Sequence, residues 1–133
     1  MSRSLLLDTM VLSAVLRKEP VTQQRLALEI AQNATVLVSP VVYFELRRGL
    51  LKKDAQRLLQ YLDVIIAPLL WIDVTRGDWE TAASLWAKTQ RAGHPIEDAD
   101  LIIAAQANRR DAVVVTDNVR HFRPIAGALE TWS

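Results

Sequence analysis

The chain has 133 residues, enough for one domain with its own core. Half of the residues are hydrophobic and 23% are charged, the balance of a soluble globular protein, and a formal net charge of +1 excludes binding to nucleic acid or membrane through an overall field. Cysteine is absent, which excludes disulfides and thiolate metal sites and fits a reducing compartment.

The first apolar run, SLLL (4–7), reads as a buried strand ending at Asp8. Asp8 also interrupts the only N-terminal stretch that could resemble a signal peptide, and no run approaches the ~20 apolar residues of a membrane span. The expectation is a soluble, cytoplasmic protein with no membrane partner. Helices follow around 10–17 and 21–33, the second with Leu26, Ile30 and Ala27, Ala31 at helical spacing. ATVLVS (34–39) is the next strand. Ser39-Pro40 then reads as an N-cap with proline at the first helical position, opening VVYFELRRGLLKK. Residues 54–62 continue as helix, and DVIIAPL (63–69) is β-like, with Pro68 arguing against a central strand.

Thr75-Arg-Gly-Asp78 resembles a capping box with Asp in place of Glu, opening a helix to about Arg91 that Gly93 stops. Another helix starts at about Asp98 and ends near Arg110, with Gln106, Arg109 and Arg110 defining its wet face. AVVVT (112–116) is the most strand-like run, followed by a turn or short helix (118–122) and a final strand in ALETW. Continuously apolar strands alternating with helices predict one α/β domain over 1–133, with a parallel sheet covered on both faces.

In such sheets, sites form at the carboxyl ends of strands near the switch in strand order. Asp8 ends the first strand, Thr116, Asp117 and Asn118 end the fourth, and Asp98 and Asp100 open the helix that leads into it. Glu45 sits in the second turn of the helix leaving ATVLVS. Four segments thus bring carboxylates to one edge. By helix phase Asp100 points inward, where a carboxylate needs a partner or a cation. Asp98 lies nearer the wet face and reads first as a cap or a first-turn acid favoured by the helix dipole. Asp8 read alone is equally a helix cap, Glu45 an exposed acid paired with Arg48 or Lys52, and Asp117 an Asx-turn residue.

The pieces LLLDT, ELRRG, DLIIAAQA, VVVTDNVRHF and LETW, in this order across the chain, resemble the PIN-domain ribonucleases and, within them, the VapC toxins of bacterial toxin–antitoxin pairs. The resemblance implies a five-stranded parallel sheet flanked by helices and a Mg²⁺- or Mn²⁺-dependent endoribonuclease that dimerises and is silenced by a cognate antitoxin. It implies Asp8, Glu45 and Asp100 as the acidic triad that holds metal, with Thr116 as the hydroxyl beside it. The family's fourth acid commonly stands two positions after that Thr. Here that position is Asn118, and Asp117 precedes it, so either can be the fourth ligand. Met10 stands where the family often has Asn or Ser.

An acidic pocket repels RNA, so cations must flank it. The candidates are Arg47, Arg48, Lys52 and Lys53 beside Glu45, and Arg120, His121 and Arg123 beside Asp117. Trp79 and Trp86, seven residues apart on one helix, read as core or dimer contact. A phosphoacceptor receiver-like domain would want Lys where Thr116-Asp117-Asn118 stands, and a phosphohydrolase would want Asp in place of Met10. A PIN-like fold without catalysis, acting as a protein- or RNA-binding module, stays open as the alternative.

Overall fold

The computed structural model describes residues 2–132. Five strands, β1 (Ser4–Leu7), β2 (Thr35–Val38), β3 (Leu70–Trp71), β4 (Val113–Val115) and β5 (Leu129–Glu130), form a single sheet in the order β3-β2-β1-β4-β5. Every pairing is parallel, with Leu6 opposite Leu37 on one side and Val114 on the other. Strand order reverses at β1, so its junction with β4 is the switch point of the sheet. The central strands are apolar without alternation because helices cover both faces, and Leu5, Leu6, Leu37 and Val114 are all at most 1% exposed. The edge strands β3 and β5 are two residues long, which limits the open backbone they present.

Seven helices connect the strands: α1 (Thr9–Leu16), α2 (Pro20–Ala31), α3 (Pro40–Lys52), α4 (Gln56–Ile66), α5 (Arg76–Arg91), α6 (Asp98–Arg109) and α7 (Val119–Phe122). The caps read from the sequence are present. Ser39 Oγ accepts from the Val41 N–H at 3.2 Å, with Pro40 opening α3. Thr75 and Asp78 form a reciprocal capping box, Asp78 N to Thr75 Oγ1 at 3.1 Å and Thr75 N to Asp78 Oδ2 at 2.9 Å. Gly93 takes the left-handed φ of 75° that ends α5.

Three expectations are corrected. The stretch 54–62 does not continue α3: Asp54 adopts a left-handed φ of 54°, and α4 begins afresh at Gln56. DVIIAPL is not a strand, because α4 runs to Ile66 and Pro68 follows its end. The β-branched Val-Ile-Ile run gave the strand signal, yet Leu59 and Leu62, buried, with Ile65 and Ile66, partly buried, recur at helical spacing and decide the local structure. Gln106 is not on a wet face; it is fully buried, and its Nε2 donates to the Ile72 carbonyl at 3.1 Å. Helix α6 is packed between the sheet and α5 and is buried from Leu101 to Ala107. Of the apolar pairs expected on α2, Leu26 is buried whereas Ile30 is 41% exposed.

Arg109 is the polar fastening of that packing. Its guanidinium makes two bonds to the Asp78 carboxylate, 2.8 and 3.0 Å, and so ties the end of α6 to the start of α5. Burial by itself pushes the Asp78 carboxyl up, but the bonds from Arg109 and from the Thr75 N–H outweigh it, and the net result lies below the usual carboxylate range. Arg109→Ala leaves a carboxylate with 1% side-chain exposure without its cation. The expected loss is roughly 2–3 kcal/mol, under the ~3–5 kcal/mol of a fully buried pair because Arg109 is partly in water. A depressed carboxyl contributes stability above its unfolded pKa of about 3.9, and that contribution disappears as pH falls through the folded value. Denaturant melts of wild type and Arg109→Ala should therefore differ fully at pH 7 and converge below about pH 4.

Candidate active site

The carboxyl edge of the sheet at the β1–β4 switch point collects four acidic segments, each placed by its own element. Asp8 follows β1 and is 5% exposed. It caps α1, Oδ1 accepting from the Val11 N–H at 3.0 Å, and its own N–H donates to the Val115 carbonyl at 3.0 Å. Its other oxygen accepts a hydrogen bond from the hydroxyl of Thr116, the fully buried residue after β4. The capping reading of Asp8 is therefore correct, and it leaves Asp8 at the edge facing the other acids.

Glu45, on α3, is half-buried. Its Oε1 accepts from Thr9 Oγ1 at 2.7 Å, and Arg48 approaches its Oε2 at 3.7 Å. Asp100, in the first turn of α6, is also half-buried, and its Oδ2 lies 3.0 Å from His121 Nδ1 on α7. Asp117 is exposed and accepts from Thr131 Oγ1 at 3.3 Å, toward the end of β5. Asn118 donates its backbone N–H to Thr116 Oγ1 at 2.9 Å, and its side chain does not cap α7. Asp98 is the first residue of α6 and lines a groove with Trp79, Trp86 and Leu101. It is a first-turn acid, as its plainer reading had it.

The acids act on one another through charge. Burial holds the Asp8 carboxyl above its ordinary value; the bonds from Thr116 and Val11 oppose this, and the charges of Asp100 and Asp117 add to it. Burial likewise raises Asp100; His121 opposes, and Glu97 and Glu45 add to the rise. Asp8, Asp100, Glu45 and Asp117 therefore share one electrostatic neighbourhood. Their oxygens do not meet at a point, however. Among the described residues no three His, Asp or Glu side chains are gathered closely enough to hold a metal ion. Each carboxylate is turned onto a partner of its own, Thr116, Thr9 or His121, as expected where like charges repel.

The donor set tests what cation could relieve that repulsion. It is carboxylate oxygen with one imidazole at its margin and no thiolate, a hard set suited to a hard divalent ion. Burial, with like charges adding, raises two of its carboxyls, and a bound cation would offset both effects. A hard cation fits these residues. Two supporting side chains were not anticipated from the sequence. Thr9 was legible, as the residue after Asp8 in the LLLDT piece, but its bond to Glu45 depends on how α1 and α3 cross. His121 was read as a flanking cation near the site, and its bond to Asp100 depends on where α7 stands relative to the first turn of α6.

Of the expected flanking cations, Arg47 donates to the Tyr43 hydroxyl at 3.2 Å and lies over that ring. Arg48 pairs with Glu45 and lies over Phe44. Arg120 is exposed and pairs with no carboxylate among the described residues.

Comparison with known proteins places this edge in context. Ribonuclease VapC19 of Mycobacterium tuberculosis is 32% identical over 118 residues, covering 88% of this chain and 90% of that protein. The crystal structure of VapBC2 from Rickettsia felis, bound to a DNA fragment from the promoter, superposes with a TM-score of 0.88 at 27% identity, over 98% of this chain and 99% of that one. DNA-bound VapBC from Salmonella typhimurium superposes with a TM-score of 0.86 at 28% identity, covering both chains completely. The sequence pattern of the PIN domain matches residues 5–127, which takes in all four acidic segments. The chain belongs to the PIN-domain family.

Proposed function

We propose that this chain is a divalent-metal-dependent endoribonuclease and the toxin of a toxin–antitoxin pair. One observation carries the catalytic part: Asp8, Glu45 and Asp100, from three separate elements, share the carboxyl edge of a parallel sheet at its switch point, where burial, with the charges of neighbouring acids, raises the Asp8 and Asp100 carboxyls. The relatives named ribonuclease support the reaction class, and the solved VapBC toxin–antitoxin complexes support the partner, a cognate antitoxin.

Asp8, Glu45 and Asp100 would hold the ion, Mg²⁺ or Mn²⁺, with Asp117 or Asn118 as a fourth contributor. When bound, such an ion acidifies water and offsets charge on the oxygens of a phosphodiester. The chain's own residues do the rest. Thr116 fixes the Asp8 carboxylate by its hydroxyl, while the Val11 N–H fixes the other oxygen. Thr9 holds Glu45, and His121 holds Asp100 from the far side. Arg48 tempers the charge of Glu45. Attack by water with the 3′-oxygen as leaving group gives 5′-phosphate and 3′-hydroxyl ends. Incubating the purified chain with mixed RNA in MgCl₂, MnCl₂ or EDTA tests the reading: cleavage with 5′-phosphate ends in metal alone supports it, and intact RNA in all three overturns it.

Association follows from the surface. Trp79 and Trp86, 55% and 48% exposed on α5, flank an apolar groove against α6. Exposed indoles of this size at one patch mark a contact surface. The chain is expected to form a homodimer, and Trp86→Glu to dissociate it. Light scattering coupled to size exclusion at micromolar concentration reads this directly, a wild-type monomer being the contrary result. Among the described residues no helix is long and apolar enough to cross a membrane.

A further inference from the structure

Beside the acidic edge lies a second, differently charged cleft. It is about 500 Å³ in volume and is bounded by the α5–α6 loop (93–96) on one side and by α7 with the residues after it on the other. Asn118, Arg120, His121 and Arg123 line one wall, His94 and Pro95 the other. Among the described residues no carboxylate lines it. Its arginines differ from the other arginines of the chain that are engaged. Arg3 and Arg25 are committed to Glu29 and Glu130, Arg109 to Asp78, Arg17 to Glu19 and Arg48 to Glu45. Arg120 and Arg123 pair with no carboxylate among the described residues, although Asp117 stands only three positions before Arg120. The Asp117 carboxylate is turned instead to Thr131.

The cleft joins the acidic edge through one side chain. His121 lines the cleft and places Nδ1 3.0 Å from Asp100 Oδ2, so a molecule seated in the cleft is one residue away from the acids. Two free guanidiniums provide charge and forked donors for phosphate oxygens. Pro95, Pro124 and the His94 ring provide flat or apolar surface for a base. A volume of this order encloses one small ligand and excludes a duplex.

We infer that this cleft is a nucleotide subsite: it seats one unpaired nucleotide of the RNA next to the scissile phosphodiester, its phosphate on Arg120 and Arg123 and its base against the 94–95 loop. The inference rests on the ribonuclease reading for its substrate class. A base stacked in a duplex cannot enter the cleft, so the nucleotide is unpaired when seated.

The test separates binding from cleavage. Fluorescence anisotropy uses a labelled single-stranded RNA of mixed sequence and the Asp8→Asn chain, so that the probe stays intact. Adding Arg120→Ala with Arg123→Ala is expected to weaken binding about tenfold and to flatten the salt dependence of log Kd by about 0.7, the share of one neutralised phosphate on a single strand. The pair Arg57→Ala with Arg110→Ala, also unpaired among the described residues but outside the cleft, should change affinity less than about twofold. In the otherwise wild-type chain, the cleft pair should raise KM with little change in kcat, since it removes binding common to ground and transition states. Unchanged affinity and slope, an equal loss from both arginine pairs, or equal binding of a blunt RNA duplex would each overturn the subsite. A wild-type chain that binds through the cleft but cleaves nothing in Mn²⁺ would sink the ribonuclease reading and leave the subsite standing.

Discussion

Asp8→Asn and Asp100→Asn are each expected to abolish RNA cleavage, by a factor on the order of 10²–10³ or more, while the chain still folds. The fold tolerates both changes for local reasons. An amide at position 8 still accepts from the Val11 N–H and still meets the Thr116 hydroxyl, so the α1 cap survives. At position 100 the amide keeps a partner for His121 Nδ1. Each change removes one charge from an edge where burial and neighbouring carboxylates already hold the carboxyls above their ordinary range. In EDTA the thermal stability of either variant should therefore equal or exceed that of wild type. In Mn²⁺ the order should reverse, because an ion bound only by the folded chain adds about 2.7 kcal/mol at one hundred times its Kd, and the variants bind it less well. Thermal melts in the two buffers read both signs. Variants markedly less stable than wild type in EDTA would make these carboxylates structural caps or ion-pair members, and the metal reading would fail with them.

The same physics explains what could be read from residues alone. The acidic edge was legible because each acid sits at a strand end or in the first or second turn of a helix at that edge, and strand ends in a parallel sheet share an edge. Ser39-Pro40 and the Thr75–Asp78 box were legible because caps depend on a few consecutive residues. The errors fell where tertiary contact overrides local preference. Val64, Ile65 and Ile66 have strand propensity, yet they complete a helix whose Leu59 and Leu62 reach the core. Gln106 is polar and falls in phase with Arg109 on a helical wheel, yet α5 packs against α6 and the Ile72 carbonyl, just after β3, accepts from the buried amide. Thr9 and His121 could not be assigned to Glu45 and Asp100 because those bonds depend on how α1 packs against α3 and on where α7 stands relative to the first turn of α6. The carboxylates come to one edge as expected but turn to separate partners, a detail set by repulsion among side chains.

Substitution at the end of β4 is expected to decide which residue is the fourth contributor. Asp117 and Asn118 are adjacent, and their side chains leave the chain in different directions. Asp117 is engaged at the β5 side by Thr131. Asn118 has no side-chain cap bond to α7 and lines the cleft together with His121, which itself touches Asp100. Through His121 this places Asn118 next to a residue that touches Asp100, and Asn118 is expected to be the fourth contributor, a neutral oxygen where a charge would bind a cation more strongly. Asn118→Asp should then tighten Mn²⁺ about tenfold in isothermal titration, since the charge count of an oxygen site sets its affinity. Asp117→Asn should change that affinity by less than about threefold, because its carboxylate serves the turn. The opposing consideration is that Asp117 lies near enough for its charge to raise the Asp8 carboxyl. If that proximity meant ligation, Asp117→Asn would weaken Mn²⁺ about tenfold or more and Asn118→Asp would gain nothing, since a fourth carboxylate would already be in place. Titration of the free chain, with no RNA present, separates the two without depending on turnover.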